Sequence, residues 1–350
     1  MTGLAKAEVA AFFMRTYRSL DVSRLSCSVV LACMLAQPAW AADAAPAANS
    51  DVIQLLKKMQ VAARQLDYAG VFTYQQGVSM QSNRVTHVVD GTGERERLEV
   101  LDGPEREFLR YNDTVQCLVP EKKLVLIEQR NAEQFPGVLI GSGKHVSDFY
   151  TLKTYPDVKR IAGRDCMAVD LIPKDGYRYG YSFCIDAKTS LLIKSQTRHG
   201  NELIDQISFT SLQMGSSVQA DQLRPSWNTR DWTIVKAPIV PVDLAGLGWR
   251  IALPPGFESI AQVSRPMNTG KAVKQLVMSD GLAAISVFIE PYDPSENQSL
   301  PNGPAHRGAM NIYGARIGDH WLTAIGEVPA LSLRELVERT EYVPAAAVQP

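Results

Sequence analysis

The chain has 350 residues, which fits about two domains at roughly 100–200 residues each. Its 36 basic and 37 acidic residues leave a net charge of −1, and its hydrophobic fraction of 45% is ordinary for a globular protein. Nothing in this composition indicates the basic stripe of a nucleic-acid-binding protein, so no nucleic-acid partner is expected. Beyond the N-terminus no uncharged apolar run is long enough to span a bilayer, so no internal transmembrane helix is expected.

The N-terminus has the three parts of an export signal. Arginines between residues 15 and 24 precede the short apolar run CSVVLACMLA, and an Ala-Trp-Ala cleavage site follows. This order predicts a signal peptide over residues 1–41 and a mature protein in an oxidising compartment. Two alternatives stay open: translation from Met14 instead of Met1, and a lipoprotein signal that ends at Cys33.

Residues 50–214 are predicted to form the first domain. Apolar residues recur at helical spacing from Val52 to Leu66, which predicts an amphipathic helix that Ser50 can cap. After this helix, β-branched and aromatic runs broken by turn signals predict a meander of antiparallel strands. The charged segment GERERLE, residues 93–99, is interpreted as a solvated strand edge.

A stretch rich in Pro, Ser and Gly over residues 215–240 is predicted to link this domain to a second one. The second domain, over residues 241–343, is smaller and again reads mainly as strands, with a short helix near its end. Asp280-Gly281 is a strong hairpin signal within it. Residues 344–350 are predicted to be a frayed tail, and the fold class is α+β.

The segment RDCMAVDLIPKDGYRYGYSFCID, residues 164–186, is predicted to be one hairpin with PKDGY as its loop. In that register Val169 faces Tyr181 and Leu171 faces Tyr179, so one face of the hairpin carries a wall of large side chains. Most of this wall is interpreted as core, although tyrosine hydroxyls favour a cavity with one wet end. The residues predicted to line a lipid or partner cavity are Phe72, Tyr74, Val169, Leu171, Tyr179, Tyr181 and Phe183.

The same register places Cys166 directly opposite Cys184. The separation of residues paired across antiparallel strands falls within disulfide range. A disulfide between them is therefore predicted for an exported protein, and Cys117 is left as a free, buried strand residue. A redox site is disfavoured because the chain has no C-x-x-C motif.

No catalytic or metal-binding motif is found. The five histidines, His87, His145, His199, His306 and His320, fall outside H-E-x-x-H and Cys/His clusters and are interpreted as strand, turn or surface residues. The segment GVLIGSGKH resembles a phosphate-binding loop, but its glycine spacing is one residue too long and His145 replaces the required Ser or Thr. We therefore expect no enzyme, no cofactor and no metal.

Several segments in a fixed order carry a resemblance. They are LDYAGVFTY (66–74), HVVDGTGERERLEVLDGPEREFLR (87–110), PKDGYRYGYSFCIDAKTSLLIKS (173–195), LPPGFE, IYGAR (312–316) and GEVP (326–329). Together they resemble the RseB/MucB family, periplasmic regulators of the envelope-stress sigma factor, over about residues 51–343. Cys184 departs from the pattern, since an aromatic residue often stands at this position.

The resemblance implies both a fold and a function. The first domain would be a curved antiparallel half-barrel packed on helices, similar to periplasmic lipoprotein carriers, and the second a smaller mixed α/β domain. The protein would be periplasmic, bind the periplasmic part of an inner-membrane anti-sigma factor and shield it from proteolysis. Release would follow the sensing of lipidic or mislocalised envelope components, such as lipid, lipopolysaccharide or lipoprotein acyl chains.

Two rival functions stay open. A periplasmic lipid or lipoprotein carrier would suit the first domain, but a carrier needs only the cavity and not the second domain. A secreted hydrolase of unfamiliar type is the other. The sequence leaves open which residues contact the partner, which ligand is sensed and what the oligomeric state is.

Overall fold

The structure is a computed structural model. It describes residues 49–129, 146–236, 239–266, 272–294 and 303–344. The predicted signal peptide, most of the predicted tail and the whole GVLIGSGKH segment lie outside the described residues.

Three α-helices occur in the described part of the chain: α1 (Asn49–Gln65), α2 (Val146–Phe149) and α3 (Ala330–Glu338). Helix α1 is the amphipathic helix predicted from the sequence, and its Leu56 and Met59 are buried. Among the described helices, none combines the length and the apolar character needed to cross a membrane.

The first domain is built on one sheet of twelve strands. Its strands are β1 (Tyr68–Gln76), β2 (Ser79–Asp90), β3 (Gly93–Val100), β4 (Glu107–Tyr111), β5 (Thr114–Val119), β6 (Leu124–Gln129), β7 (Tyr150–Ile161), β8 (Arg164–Pro173), β9 (Gly180–Asp186), β10 (Leu192–His199), β11 (Glu202–Met214) and β12 (Thr233–Lys236). The spatial order is β12-β6-β5-β4-β3-β2-β1-β11-β10-β9-β8-β7. The edge strands β12 and β7 are different strands at opposite ends of this order, so the sheet is open and is not a closed barrel.

The segment predicted to be the linker packs on the first domain. Strand β12 pairs with β6 in parallel, and all four of its residues are exposed, so backbone hydrogen bonding is its main attachment. Ahead of it, the buried carboxylate of Glu107 accepts hydrogen bonds from the Ser226 backbone amide at 3.1 and 3.2 Å. Arg97 donates to the same carboxylate and to the carbonyl oxygen of Gln222.

The charged segment GERERLE forms β3, which lies between β2 and β4 and is not a sheet edge. The expectation of a solvated edge was wrong, and two of the three glutamates in the segment, Glu94 and Glu96, are only 9% and 4% exposed. Because side chains alternate along a strand, these two carboxylates lie on the same face of the sheet. There Arg110 on β4 forms ion pairs with both, which compensates the cost of burying their negative charges.

The second domain contains a seven-stranded antiparallel sheet and helix α3. Its strands are β13 (Val240–Pro241), β14 (Trp249–Arg250), β15 (Glu258–Pro266), β16 (Ala272–Ser279), β17 (Ala284–Pro291), β18 (Gly303–Arg307), β19 (Met310–Ile317), β20 (His320–Gly326) and β21 (Glu341–Tyr342). The order of the main sheet is β13-β15-β16-β17-β20-β19-β18, and β14 pairs separately with β21. Leu333, Leu336 and Val337 of α3 lie in the same buried cluster as residues of this sheet. The predicted hairpin at Asp280-Gly281 is confirmed as the turn between β16 and β17.

Candidate functional site

Four of the seven predicted cavity residues form one buried surface, here called the aromatic wall: Val169 and Leu171 on β8, and Tyr181 and Phe183 on β9. Each of the four is at most 7% exposed. They lie in one buried cluster with residues of three other elements of the first domain: Leu56 and Met59 of α1, Val146 of α2, and Tyr150 and Leu152 of β7. Leu282 of the second domain belongs to the same cluster. The wall is therefore closed core in this structure, as interpreted from the sequence, and part of its cover comes from the second domain.

The other three predicted residues lie elsewhere. Phe72 is buried in a neighbouring cluster, where its ring meets the ring of Phe209 edge to face at 6.0 Å. The half-buried Tyr74 packs against that cluster and donates a hydrogen bond from its hydroxyl to Asp205. Tyr179 lies in the loop before β9, and its hydroxyl accepts a hydrogen bond from Asn311 of the second domain at 2.9 Å.

The predicted register of the hairpin was wrong by two residues. Strand β8 ends at Pro173 and β9 begins at Gly180, so the loop has six residues, 174–179, and Val169 pairs with Phe183 while Leu171 pairs with Tyr181. The reason is local: the Asp175 carboxylate accepts hydrogen bonds from the backbone amide and the side chain of the residues two and three positions later, which widens the turn. A shift of two preserves the alternation of faces, so the composition of the wall survived the error.

The predicted disulfide between Cys166 and Cys184 is confirmed, with the two Cα atoms 5.4 Å apart. It does not join directly opposed residues, because Cys166 pairs with Asp186 and Cys184 pairs with Ala168. Both cysteines are buried. Cys117, which lies outside the disulfide, is half-buried rather than buried as expected.

Arg178 is a buried residue of the domain interface that sequence reasoning missed. It stands between Tyr177 and Tyr179 in the sequence, and its side chain, which contacts the second domain, is 1% exposed. Its guanidinium donates to Asp175 at 2.9 Å, to the carbonyl oxygen of Pro255 at 2.6 Å and to Asp280 at 2.5 Å. The guanidinium also lies 4.3 Å from the centre of the Phe149 ring. A basic residue in an aromatic run next to a turn was the only available signal.

Asp280 is the partner of Arg178 in the second domain. One carboxylate oxygen accepts from Arg178 and, at 3.2 Å, from the hydroxyl of Tyr150, both in the first domain. The other oxygen accepts the backbone amides of Leu282 and Ala283 at 2.9 and 2.7 Å, which shapes the hairpin turn. The same carboxylate therefore builds the turn and holds it against the first domain.

Further contacts fix the loop 174–179 on helix α3. Ser332 donates its hydroxyl hydrogen to the carbonyl oxygen of Tyr177 at 2.7 Å, and Tyr177 donates to Glu335 at 3.0 Å. Gly256 approaches the edge of the Phe149 ring so closely that an added Cβ would lie 2.2 Å from it, and its φ of +76° also favours glycine.

A second polar cluster lies deeper in the first domain. The ring of His87 is fully buried, with Nε2 2.9 Å from Glu94 and Nδ1 2.8 Å from the carbonyl oxygen of Leu66, and it stacks on Tyr68 at 4.7 Å. Arg110 donates to the same Glu94 oxygen. Burial opposes ionisation of Glu94, but the hydrogen bonds from His87 and Arg110 outweigh it and lower the pKa of Glu94 to about 2. The cluster joins the end of α1 to β2, β3 and β4 and has a structural role.

Within the described residues, no group of three or more His, Cys, Asp or Glu side chains is placed to hold a metal ion.

Comparison with known proteins bears on both domains. Residues 51–227 match the MucB/RseB N-terminal domain, and residues 244–341 match the MucB/RseB C-terminal domain. The chain belongs to the MucB/RseB family. This is a family of regulatory proteins rather than an enzyme family.

Curated members of the MucB/RseB family resemble the chain over nearly their whole length. The sigma factor AlgU regulatory protein MucB of Pseudomonas aeruginosa is 29% identical over 83% of this chain and 93% of its own. The sigma-E factor regulatory protein RseB of Haemophilus influenzae is 27% identical over 83% of this chain and 90% of its own.

Solved structures of MucB share the fold. The crystal structure of MucB in complex with MucA(peri) is 25% identical, covers 83% of this chain and 99% of its own, and superposes with a TM-score of 0.63. A second structure, of the Pseudomonas aeruginosa MucA/MucB complex, gives a TM-score of 0.64 at 27% identity. Both domains of the chain therefore have counterparts in a family whose MucB member has been crystallised with MucA(peri).

Proposed function

We propose that the chain is a periplasmic negative regulator of the sigma-E envelope-stress response. It binds the periplasmic part of an inner-membrane anti-sigma factor, shields that segment from proteolysis and releases it on sensing lipidic or mislocalised envelope components. The observation that carries the proposal is the similarity of both domains to MucB, which has been solved in complex with MucA(peri). The relatives named as sigma-factor regulatory proteins support it.

The first domain fits the proposal in its architecture. An open sheet of twelve strands, antiparallel except for the β12–β6 pair, with helix α1 packed on its buried wall, supports the curved half-barrel that the resemblance implies. The export signal in the sequence and the buried disulfide support an oxidising compartment. The curvature and the periplasmic location are parts of the proposal.

Partner binding is tested with the mature chain and the MucA periplasmic fragment. Calorimetric titration should show binding, and the fragment should be cut more slowly by a site-1 protease of the envelope, or by a nonspecific protease, when the chain is present. No binding to this fragment or to the anti-sigma factor of the source organism would refute the regulator. Binding without slower cleavage would refute the shielding.

Lipid sensing is tested at the aromatic wall with Val169→Trp. If the wall opens to accept acyl chains, the larger ring fills the space beside Phe183 and reduces uptake of a fluorescent fatty acid. If the wall stays closed core, the same change overpacks it and costs about 1–3 kcal/mol of unfolding free energy. Ile172→Trp is the matched control, because Ile172 lies on the same strand and is 45% exposed.

Measuring the melting temperature and the fatty-acid binding of Val169→Trp together distinguishes an opening wall from a closed core. Lost uptake with unchanged stability supports sensing at the wall. Lost stability, with no uptake by the parent protein, refutes it. A lipid or lipoprotein carrier would bind acyl chains without binding the MucA fragment. That result would refute the regulator and support the carrier.

A further inference from the structure

The turn between β16 and β17 belongs to the second domain but packs on the aromatic wall of the first. Leu282 in this turn is 8% exposed and lies in one buried cluster with Val169, Tyr181 and Phe183. Asp280, at the start of the same turn, is 4% exposed. A single short turn thus places one apolar side chain against the wall and one carboxylate in the domain interface.

The turn is fastened by an ion pair with one partner on each domain. Arg178 and Asp280 are both at most 4% exposed, and their nitrogen and oxygen atoms are 2.5 Å apart. Removing one partner of a buried pair is costly, because it leaves the other charge buried and unpaired. Separating the two domains instead returns both charges to water, so the pair can open as a unit.

The ion pair lies next to the aromatic wall both in sequence and through the contacts of Tyr150. Arg178 stands two residues before the start of β9, which carries Tyr181 and Phe183. Tyr150, which donates its hydroxyl hydrogen to Asp280, has its ring centre 6.2 Å from that of Tyr181. A ligand that displaces the Tyr181 ring would press on a residue that helps to hold the ion pair.

We propose that the second domain is a lid over the aromatic wall and that the Arg178–Asp280 ion pair is its latch. The ligand class is an extended apolar chain, such as a fatty-acyl chain, which reaches Tyr181 and Phe183 only after the latch opens and Leu282 withdraws. The identity of this ligand rests on the proposed function, whereas the lid and the latch rest on the contacts of the interface.

The test is a titration of the full mature chain with cis-parinaric acid, a naturally fluorescent fatty acid. Asp280→Asn removes the charge of the latch and retains a side chain of the same size. It should bind the probe about tenfold more tightly than the parent, because apparent affinity rises with the fraction of open molecules. Asp319→Asn is the matched control: it makes the same change in another hairpin turn of the second domain, where the Asp319 side chain is 98% exposed, so this variant should bind the probe as the parent does.

Leu282→Ala provides an independent measurement, since it shortens the cover of the wall and leaves the latch intact. It should also increase uptake of the probe. If neither Asp280→Asn nor Leu282→Ala binds the probe more tightly while both melt cooperatively, the lid is refuted. Should Asp280→Asn fail to fold, Arg178→Lys takes its place, because it retains the charge and loses the planar fork.

Binding of the MucA periplasmic fragment, measured on the parent protein, separates this inference from the proposed function. Tighter uptake in the latch variants without fragment binding by the parent would keep the lid and refute the regulator. Fragment binding by the parent with unchanged uptake in the variants would keep the regulator and refute the lid.

Discussion

Glu94→Gln should destabilise the first domain in a way that depends on pH. The carboxylate holds His87 and Arg110 together, and its side chain is 11% exposed. Its pKa falls from 4.5 to about 2 in the folded protein, because the hydrogen bonds from these two residues outweigh the effect of burial. At about 1.4 kcal/mol per pKa unit this difference corresponds to about 3.5 kcal/mol, and solvent screening lowers the contribution of ionised Glu94 at neutral pH to on the order of 2–3 kcal/mol of unfolding free energy.

The sign of the pH dependence follows from the direction in which the pKa of Glu94 shifts. Since the folded-state pKa is depressed, the contribution is fully present above about pH 4.5 and is lost as the pH falls from there towards 2. Glutamine cannot ionise, so the variant lacks this contribution at every pH. The difference in unfolding free energy between parent and variant should therefore be largest at pH 7 and shrink steadily in acid.

Urea unfolding followed by circular dichroism at pH 7, 4.5 and 3 measures the difference. Glu341→Gln, at an exposed position of β21, controls for loss of one negative charge and should change the unfolding free energy little at any pH. A loss that is the same at pH 7 and pH 3 would refute the reasoning, because it would show that Glu94 acts through packing and not through its charge.

Three further predictions concern the framework of the site. Reduction of the Cys166–Cys184 bridge, 18 residues apart in sequence, should cost about 3 kcal/mol by the loop-entropy relation, and an unchanged urea midpoint with reductant would contradict it. Gly256→Ala should lower the melting temperature, since left-handed backbone alone costs an alanine about 1–2 kcal/mol and the methyl group would press on Phe149; an unaltered melting curve would show that the loop yields. Asp186→Ala should lower the unfolding free energy by about 1.5–3 kcal/mol, because it removes the carboxylate that accepts hydrogen bonds from the Arg164 side chain and the Thr189 backbone amide. A decrease below about 0.5 kcal/mol, the size of an ordinary surface change, would show that these hydrogen bonds contribute little.

Features set by local periodicity were predictable from the sequence. The spacing of Leu56 and Met59 predicted the buried face of helix α1, and the alternation of Val169 and Leu171 predicted one face of β8. The Asp280-Gly281 turn was equally local. The length of the chain and the stretch rich in Pro, Ser and Gly over residues 215–240 predicted two domains, and the family resemblance added the expectation of a half-barrel in the first of them.

Charge at buried positions was predicted poorly. GERERLE has the composition of a solvated strand, and only the neighbouring strands decide otherwise: His87 of β2 and Arg110 of β4 lie beside Glu94 and neutralise it. These partners are 7 and 16 residues away in sequence, across two different turns. A single sequence does not show which neighbour a strand will have, so the burial of a carboxylate follows only from the sheet order.

The contacts of Arg178 show why the sequence did not predict how the second domain covers the aromatic wall. A tight hairpin loop would have kept this arginine in strand register, on the face opposite the tyrosines. The Asp175 turn widens the loop instead, frees Arg178 from the sheet and lets it reach Asp280, 102 residues away. The alternation of residues decides which side chains form the wall, but the part of its cover that the second domain supplies depends on contacts between domains such as this one. It follows that a change at Asp280, in a domain that contributes no strand to the wall, should alter access to Tyr181 more than most changes within the hairpin itself.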